Sequence, residues 1–183
     1  MPASARPRLS LAEWVVLCLV SEGPSHGFAL ARILGGDGEL GQIWRVPKPV
    51  VYRALQRLED AGLLKLIELQ PSTEGPVRSL VEATAAGRDA AAAWLSKPVH
   101  HNRDIRSELL VKLALLDRAG RDPAPLLEAQ SAQLEPVADA LRAKLTGASG
   151  IERAITLWRS ETVAATLRFL TELREPSRAG SQG

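Results

Sequence analysis

The chain has 183 residues, 45% of them hydrophobic and 24% charged, which excludes wholesale disorder, collagen-like repeats and low-complexity fibre. A net charge of +2 is too small by itself to mark a partner, and the single cysteine, Cys18, excludes an internal disulfide and fits a reducing, cytoplasmic compartment. The longest unbroken apolar run, Trp14 to Val20, falls far short of the roughly 20 residues of a membrane span. A buried helix is expected there, with no membrane partner.

Residues 1–9 read as a flexible arm. Ser10 and Glu13 then form a capping box, in which the serine accepts from a first-turn amide and the glutamate reaches back. Leu11, Trp14, Val15, Cys18 and Leu19 follow at helical spacing until Gly23-Pro24. Ser25 is placed to cap a second helix running through Phe28, Leu30, Ala31 and Leu34 to Gly35-Gly36. A third helix is expected to open at Pro49, where a missing amide proton costs nothing, and to bury Val51, Leu55 and Leu58 before Gly62. Two β-prone runs, Leu64–Leu69 and Val77–Ala83, flank the turn-rich stretch from Gln70 to Pro76 and predict a hairpin. Thr84 caps a fourth helix ending before Pro98. Three helices and a hairpin within so short a span make the order of a winged helix-turn-helix, here assigned to residues 10–97.

Residues 98–174 show no strand signal. Ile105, Leu109, Leu110, Leu113 and Leu116 make one amphipathic helix. Leu127, Leu134 and Leu141 lie on another that starts at Asp122-Pro123, and Gly147–Gly150 breaks the chain. Ile155, Trp158, Ala165, Phe169 and Leu173 line a last helix, their spacing suited to packing along a partner helix. Residues 175–183 read as a flexible tail. The fold class is therefore mainly α: a winged helix-turn-helix of three helices plus a β-hairpin wing, followed by an all-helical domain.

The charges are spread unevenly. Between Arg45 and Lys65 the bases Arg45, Lys48, Arg53, Arg57 and Lys65 outnumber Glu59 and Asp60 by three. A local basic patch matters more for phosphate contact than the whole-chain balance. With one face of the third helix buried, a step of about 100° per residue turns Arg53, Gln56 and Arg57 outward, with Lys48 and Tyr52 on the flank near its start. Arginine reads guanine bidentately, glutamine reads adenine, and lysine or tyrosine holds phosphate. Lys65 and Arg78 stand on the wing.

The segments Ala12–Leu17, Glu22–Phe28 (with its His26-Gly27-Phe28 step), Val51–Leu55, Leu58–Leu63, Thr84–Arg88 and Trp94-Leu95 together resemble the PadR family of transcriptional regulators, most closely over residues 10–97. The sequence departs from the family pattern at Pro49, Val50 and Val51, where a hydroxyl residue often precedes the tyrosine, and at Val81, where an aromatic is common. The resemblance implies a homodimer on double-stranded DNA, binding a palindromic operator as a repressor. It also implies that Leu11, Trp14 and Val15 pack against the partner's last helix, beside Ile155, Trp158, Ala165, Phe169 and Leu173. Some members of the family bind planar aromatic compounds, so a small-molecule effector of unknown chemistry remains open. Trp14, Trp94 and Trp158 fall on apolar stripes suited to packing, and His100-His101 lacks a third ligand, so no metal or cofactor is expected. No phosphate loop, paired carboxylates or nucleophile elbow is present, and no enzyme is expected. The competing reading is a winged-helix protein–protein adaptor that does not use DNA.

Overall fold

A computed structural model describes residues 9–70 and 78–175. The arm before Leu9, the expected hairpin turn and the tail after Glu175 lie outside the described residues. In chain order the elements are α1 (Leu11–Glu22), β1 (Ser25–His26), α2 (Gly27–Ile33), α3 (Lys48–Asp60), β2 (Leu64–Gln70), β3 (Arg78–Ala83), α4 (Ala85–Leu95), α5 (Leu110–Arg118), α6 (Ala124–Leu145) and α7 (Gly150–Arg174). A 3₁₀ turn at Asn102–Asp104 and a π-type turn at Ile105–Leu109 lead into α5. The chain divides into two compact units. One holds the described residues up to Ser96 together with Leu110–Arg121, and the other holds Lys97–Leu109 and the described residues from Asp122 on. The segment Leu110–Arg121, read from sequence as part of the second domain, thus returns to the first unit.

In the first unit α1 is the central helix. Val15, Val16 and Leu17 are fully buried and Cys18, Leu19 and Val20 nearly so, because α3, α4, α5 and β3 all pack on it. The expected capping box is formed: Glu13 N donates to Ser10 Oγ at 3.4 Å, and Ser10 N donates to Glu13 Oε2 at 2.6 Å. Leu30 of α2 and Val51, Ala54 and Leu58 of α3 complete the core from the other side. Leu55, expected on the buried stripe, is only half-buried, and Ala54 takes the interior position. Gly62 ends α3 with a φ of 69°, the left-handed region that glycine enters without steric cost.

The wing carries one more strand than the hairpin pattern foretold. The sheet order is β1-β3-β2, all antiparallel. Ser25, expected to cap the second helix, does not; with His26 it forms a short strand instead. The two pair with Val81 and Leu80, and His26 then caps α2 itself, its Nδ1 accepting from Ala29 N at 3.1 Å. Between Leu66 and Glu68 the β2–β3 register shifts, leaving Ile67 as an extra residue in a bulge.

The second unit is built on the antiparallel pair α6–α7, whose opposite ends are linked by Lys144–Glu152 at 3.2 Å and Arg174–Glu128 at 3.1 Å. Gln130, fully buried, ties the segment leaving α4 to α6: its Oε1 accepts from Val99 N at 2.6 Å and its Nε2 donates to Val99 O at 3.0 Å. On α7 the buried residues are Thr156, Ser160, Val163 and Leu170. The stripe of larger residues faces solvent instead. Among the described residues, no helix is long and apolar enough to cross a membrane.

Candidate nucleic-acid interface

The outward face of α3 is the feature to which the fold gives shape. Val51, Ala54 and Leu58 are fixed in the core, so Lys48, Tyr52, Arg53, Gln56 and Arg57 are exposed together, as their spacing predicts. Their environments differ. Arg53 projects without an ion-pair partner among the described residues. Gln56 Nε2 donates to Asp60 Oδ1 at 3.0 Å, a bond within the helix that lies open to water.

Arg57 has a second allegiance. Its Nη1 lies 2.9 Å from Glu13 Oε1, and the Glu13 side chain is only 4% exposed. One carboxylate therefore closes the capping box of α1 with one oxygen and holds α3 with the other. A buried charge without its partner is costly, which makes Arg57 part of the domain's internal structure even though most of its surface is open.

Lys48 Nζ stands 5.8 Å from the ring centroid of Phe28 and 5.9 Å from that of Tyr52. Tyr52 lies over the start of α2: a Cβ on Gly27 would come within 2.6 Å of its Cε1. Only a glycine leaves the ring this space. Phe28, placed with the apolar residues of the second helix by spacing alone, is 49% exposed.

On the wing, Lys65 faces Glu82 across the β2–β3 ladder, with Nζ 2.6 Å from Oε1. Its charge is locally balanced, and it sits opposite Glu82 near the base of the sheet. Arg78 opens β3 opposite Gln70, and its side chain lies outside the described residues.

The residues read as an assembly surface separate into two groups. Val15 is fully buried in the first unit. Leu11 and Trp14 are half-buried, and Trp14 stacks on Trp94 with ring centroids 5.6 Å apart. Lys112 Nζ lies 4.5 Å from the same Trp94 ring. On α7, Ile155 is 47%, Trp158 74% and Leu173 46% exposed, Ala165 is exposed and Phe169 half-buried.

Cys18 is a packing residue. Burial, followed by the nearby Glu22 carboxylate, pushes its thiol from 9.0 up to about 12, against the smaller opposing influence of Lys112 and Arg121. Glu22 is itself engaged by Arg118, which also pairs with Glu39. His100 and His101 touch edge to face at 4.7 Å, and no cluster of three metal-ligating side chains occurs among the described residues.

Residues 16–93 match the model of the transcriptional regulator PadR-like family. No curated protein matches the sequence. Among solved structures, the chain is similar to Bacillus subtilis PadR in complex with operator DNA, at 15% identity and a TM-score of 0.47, covering 90% of this chain and 97% of that one. It is similar to the same protein in complex with p-coumaric acid at 16% identity, with 92% and 96% covered and a TM-score of 0.43. The PadR-like transcriptional regulator of Bacillus cereus follows at 16%, with 93% and 97% covered and a TM-score of 0.42. The segment that carries α3 and the strands of the wing, residues 16–93, is thus similar to the PadR-like family of transcriptional regulators.

Proposed function

We propose that the protein is a sequence-specific DNA-binding repressor that acts as a homodimer on an inverted repeat, each α3 entering a major groove. The observation that carries this reading is the outward face of α3. Within a winged unit of a regulator family, it presents an acid-free arginine, Arg53, flanked by Lys48 and Tyr52. A recognition helix needs one apolar face for the core and one polar face for base edges, and α3 has both. In this reading Arg53 contacts a base, Lys48 and Tyr52 hold phosphate, and Gln56 contacts a base once it exchanges its bond to Asp60. Arg78 supplies positive charge beside the backbone, and Arg57 and Lys65 add to it only where phosphate draws them from Glu13 and Glu82.

The dimer follows from α7. A stripe of Ile155, Trp158, Ala165, Phe169 and Leu173 lies opposite the face buried against α6, and leaving so much apolar surface in water is unfavourable. Pairing with a second copy covers it. Two recognition helices then meet half-sites about 10–10.5 base pairs apart, or a multiple of that. Occupying a promoter in this way would repress by exclusion.

The test is salt dependence on a duplex that the full-length protein selects from a random pool. Binding should weaken steeply as salt rises, with a log–log slope of about −0.9 for each phosphate neutralised. Failure to select any duplex, or binding indifferent to salt, would favour an adaptor that uses the wing for protein contacts.

A further inference from the structure

The surface beside α3 holds an aromatic shelf, of which the contacts above take up Lys48 and Tyr52 but not Phe28. Phe28 on the first turn of α2 and Tyr52 near the start of α3 are 49% and 45% exposed. The Lys48 ammonium stands between them, 5.8 Å and 5.9 Å from the two ring centroids. The shelf is held in place from below. His26, anchored through Nδ1 to Ala29 N, lies 6.5 Å from the Phe28 ring, and Gly27 leaves Tyr52 room to lie on the backbone of α2.

An ammonium near two ring faces is attracted to both π clouds and can still meet an anion from the solvent side. A phenyl ring next to a phosphate-seeking cation matches one feature of duplex DNA: the C5-methyl of thymine, which projects into the major groove and is read by apolar contact. The other three bases offer no such group there. We propose that Phe28 is a base-reading residue, its ring covering a thymine methyl while Lys48 holds a neighbouring phosphate. This rests on the DNA-binding reading above and extends it to a second helix, so that part of the sequence preference comes from α2.

The experiment uses the duplex selected by the full-length protein, with each thymine replaced in turn by deoxyuridine, which lacks only the methyl. Affinities are measured by fluorescence anisotropy for the wild type, Phe28→Ala and Phe28→Leu. In the wild type, one thymine per half-site should lose about four-fold in affinity on losing its methyl, the value of one buried methyl group. Phe28→Ala should bind the thymine and deoxyuridine duplexes equally, and Phe28→Leu should keep part of the difference. An unchanged melting temperature for both variants, expected of so exposed a ring, shows that the loss is one of contact. If every thymine-to-deoxyuridine penalty is the same in wild type and Phe28→Ala, the proposal fails alone. If no duplex is selected at all, it fails together with the DNA-binding reading.

Discussion

Two arginines on the same face of α3 stand in different surroundings. Arg53 points away from the domain and has no acidic partner among the described residues. Arg53→Ala should therefore leave the melting temperature unchanged. If it reads a guanine, it should cost about 1–3 kcal/mol of binding, concentrated at one base position, as an anisotropy titration over single-base variants would show. Arg57→Ala should lower stability by about 1–3 kcal/mol, because it strips the partner from a buried charged acceptor, Glu13. Calorimetry on the single variant and on Arg57→Ala with Glu13→Gln checks this, since removing the charge as well should recover part of the loss. Equal melting temperatures for wild type and Arg57→Ala would mean that the contact contributes nothing. Cys18 makes a chemical forecast. With its folded thiol raised from 9.0 to about 12, iodoacetamide at pH 8.5 should alkylate it far more slowly in the native protein than in denaturant. The shift also sets a sign for stability. The folded state keeps the proton that the unfolded chain loses first, so this contribution is intact below about pH 9 and is lost as pH climbs toward 12.

Among the secondary elements, what could be read in advance was what depends on near neighbours. The capping box of α1, the opening of α4 at Thr84 and the polar face of α3 are local or periodic, and each is found where residue spacing puts it. What could not be read depends on partners distant in sequence. β1 has two residues and exists only because Ser25 and His26 meet Val81 and Leu80. Nothing within a few residues of Ser25 distinguishes that strand from a helix cap. The Glu13–Arg57 pair needs α1 and α3 already docked, and Phe28 is left in the open because α2 is short and turns its Leu30 inward. On α7 the apolar spacing is genuine. The residues that meet α6 are the smaller Thr156, Ser160 and Val163 with Leu170, a stripe that hydrophobicity alone passes over. Gln130 is likewise hidden in an apolar heptad, yet it clamps Val99. Gln130→Leu leaves the Val99 amide without its acceptor and should destabilise the second unit by about 1–3 kcal/mol, readable as a lowered melting temperature. No change on thermal melting would show that water replaces the clamp.

For the molecule as a whole, the proposal needs two surfaces: the polar face of α3 for DNA and the exposed apolar face of α7 for a second copy. One recognition helix offers few base contacts, and two-fold symmetry on a palindrome supplies the rest. The exposed stripe through Trp158 is the means by which a second copy would be held, and the polar Thr156–Ser160 side is already occupied by α6. The most direct test is sedimentation velocity of the full-length protein at micromolar concentration, alone and on its selected duplex, beside the variant Trp158→Glu. The expected result is a dimer in solution, two protomers on each duplex, and a folded but monomeric variant that binds the duplex weakly. A wild-type monomer that binds a single duplex tightly, or a Trp158→Glu variant that remains a dimer with full affinity, would contradict it.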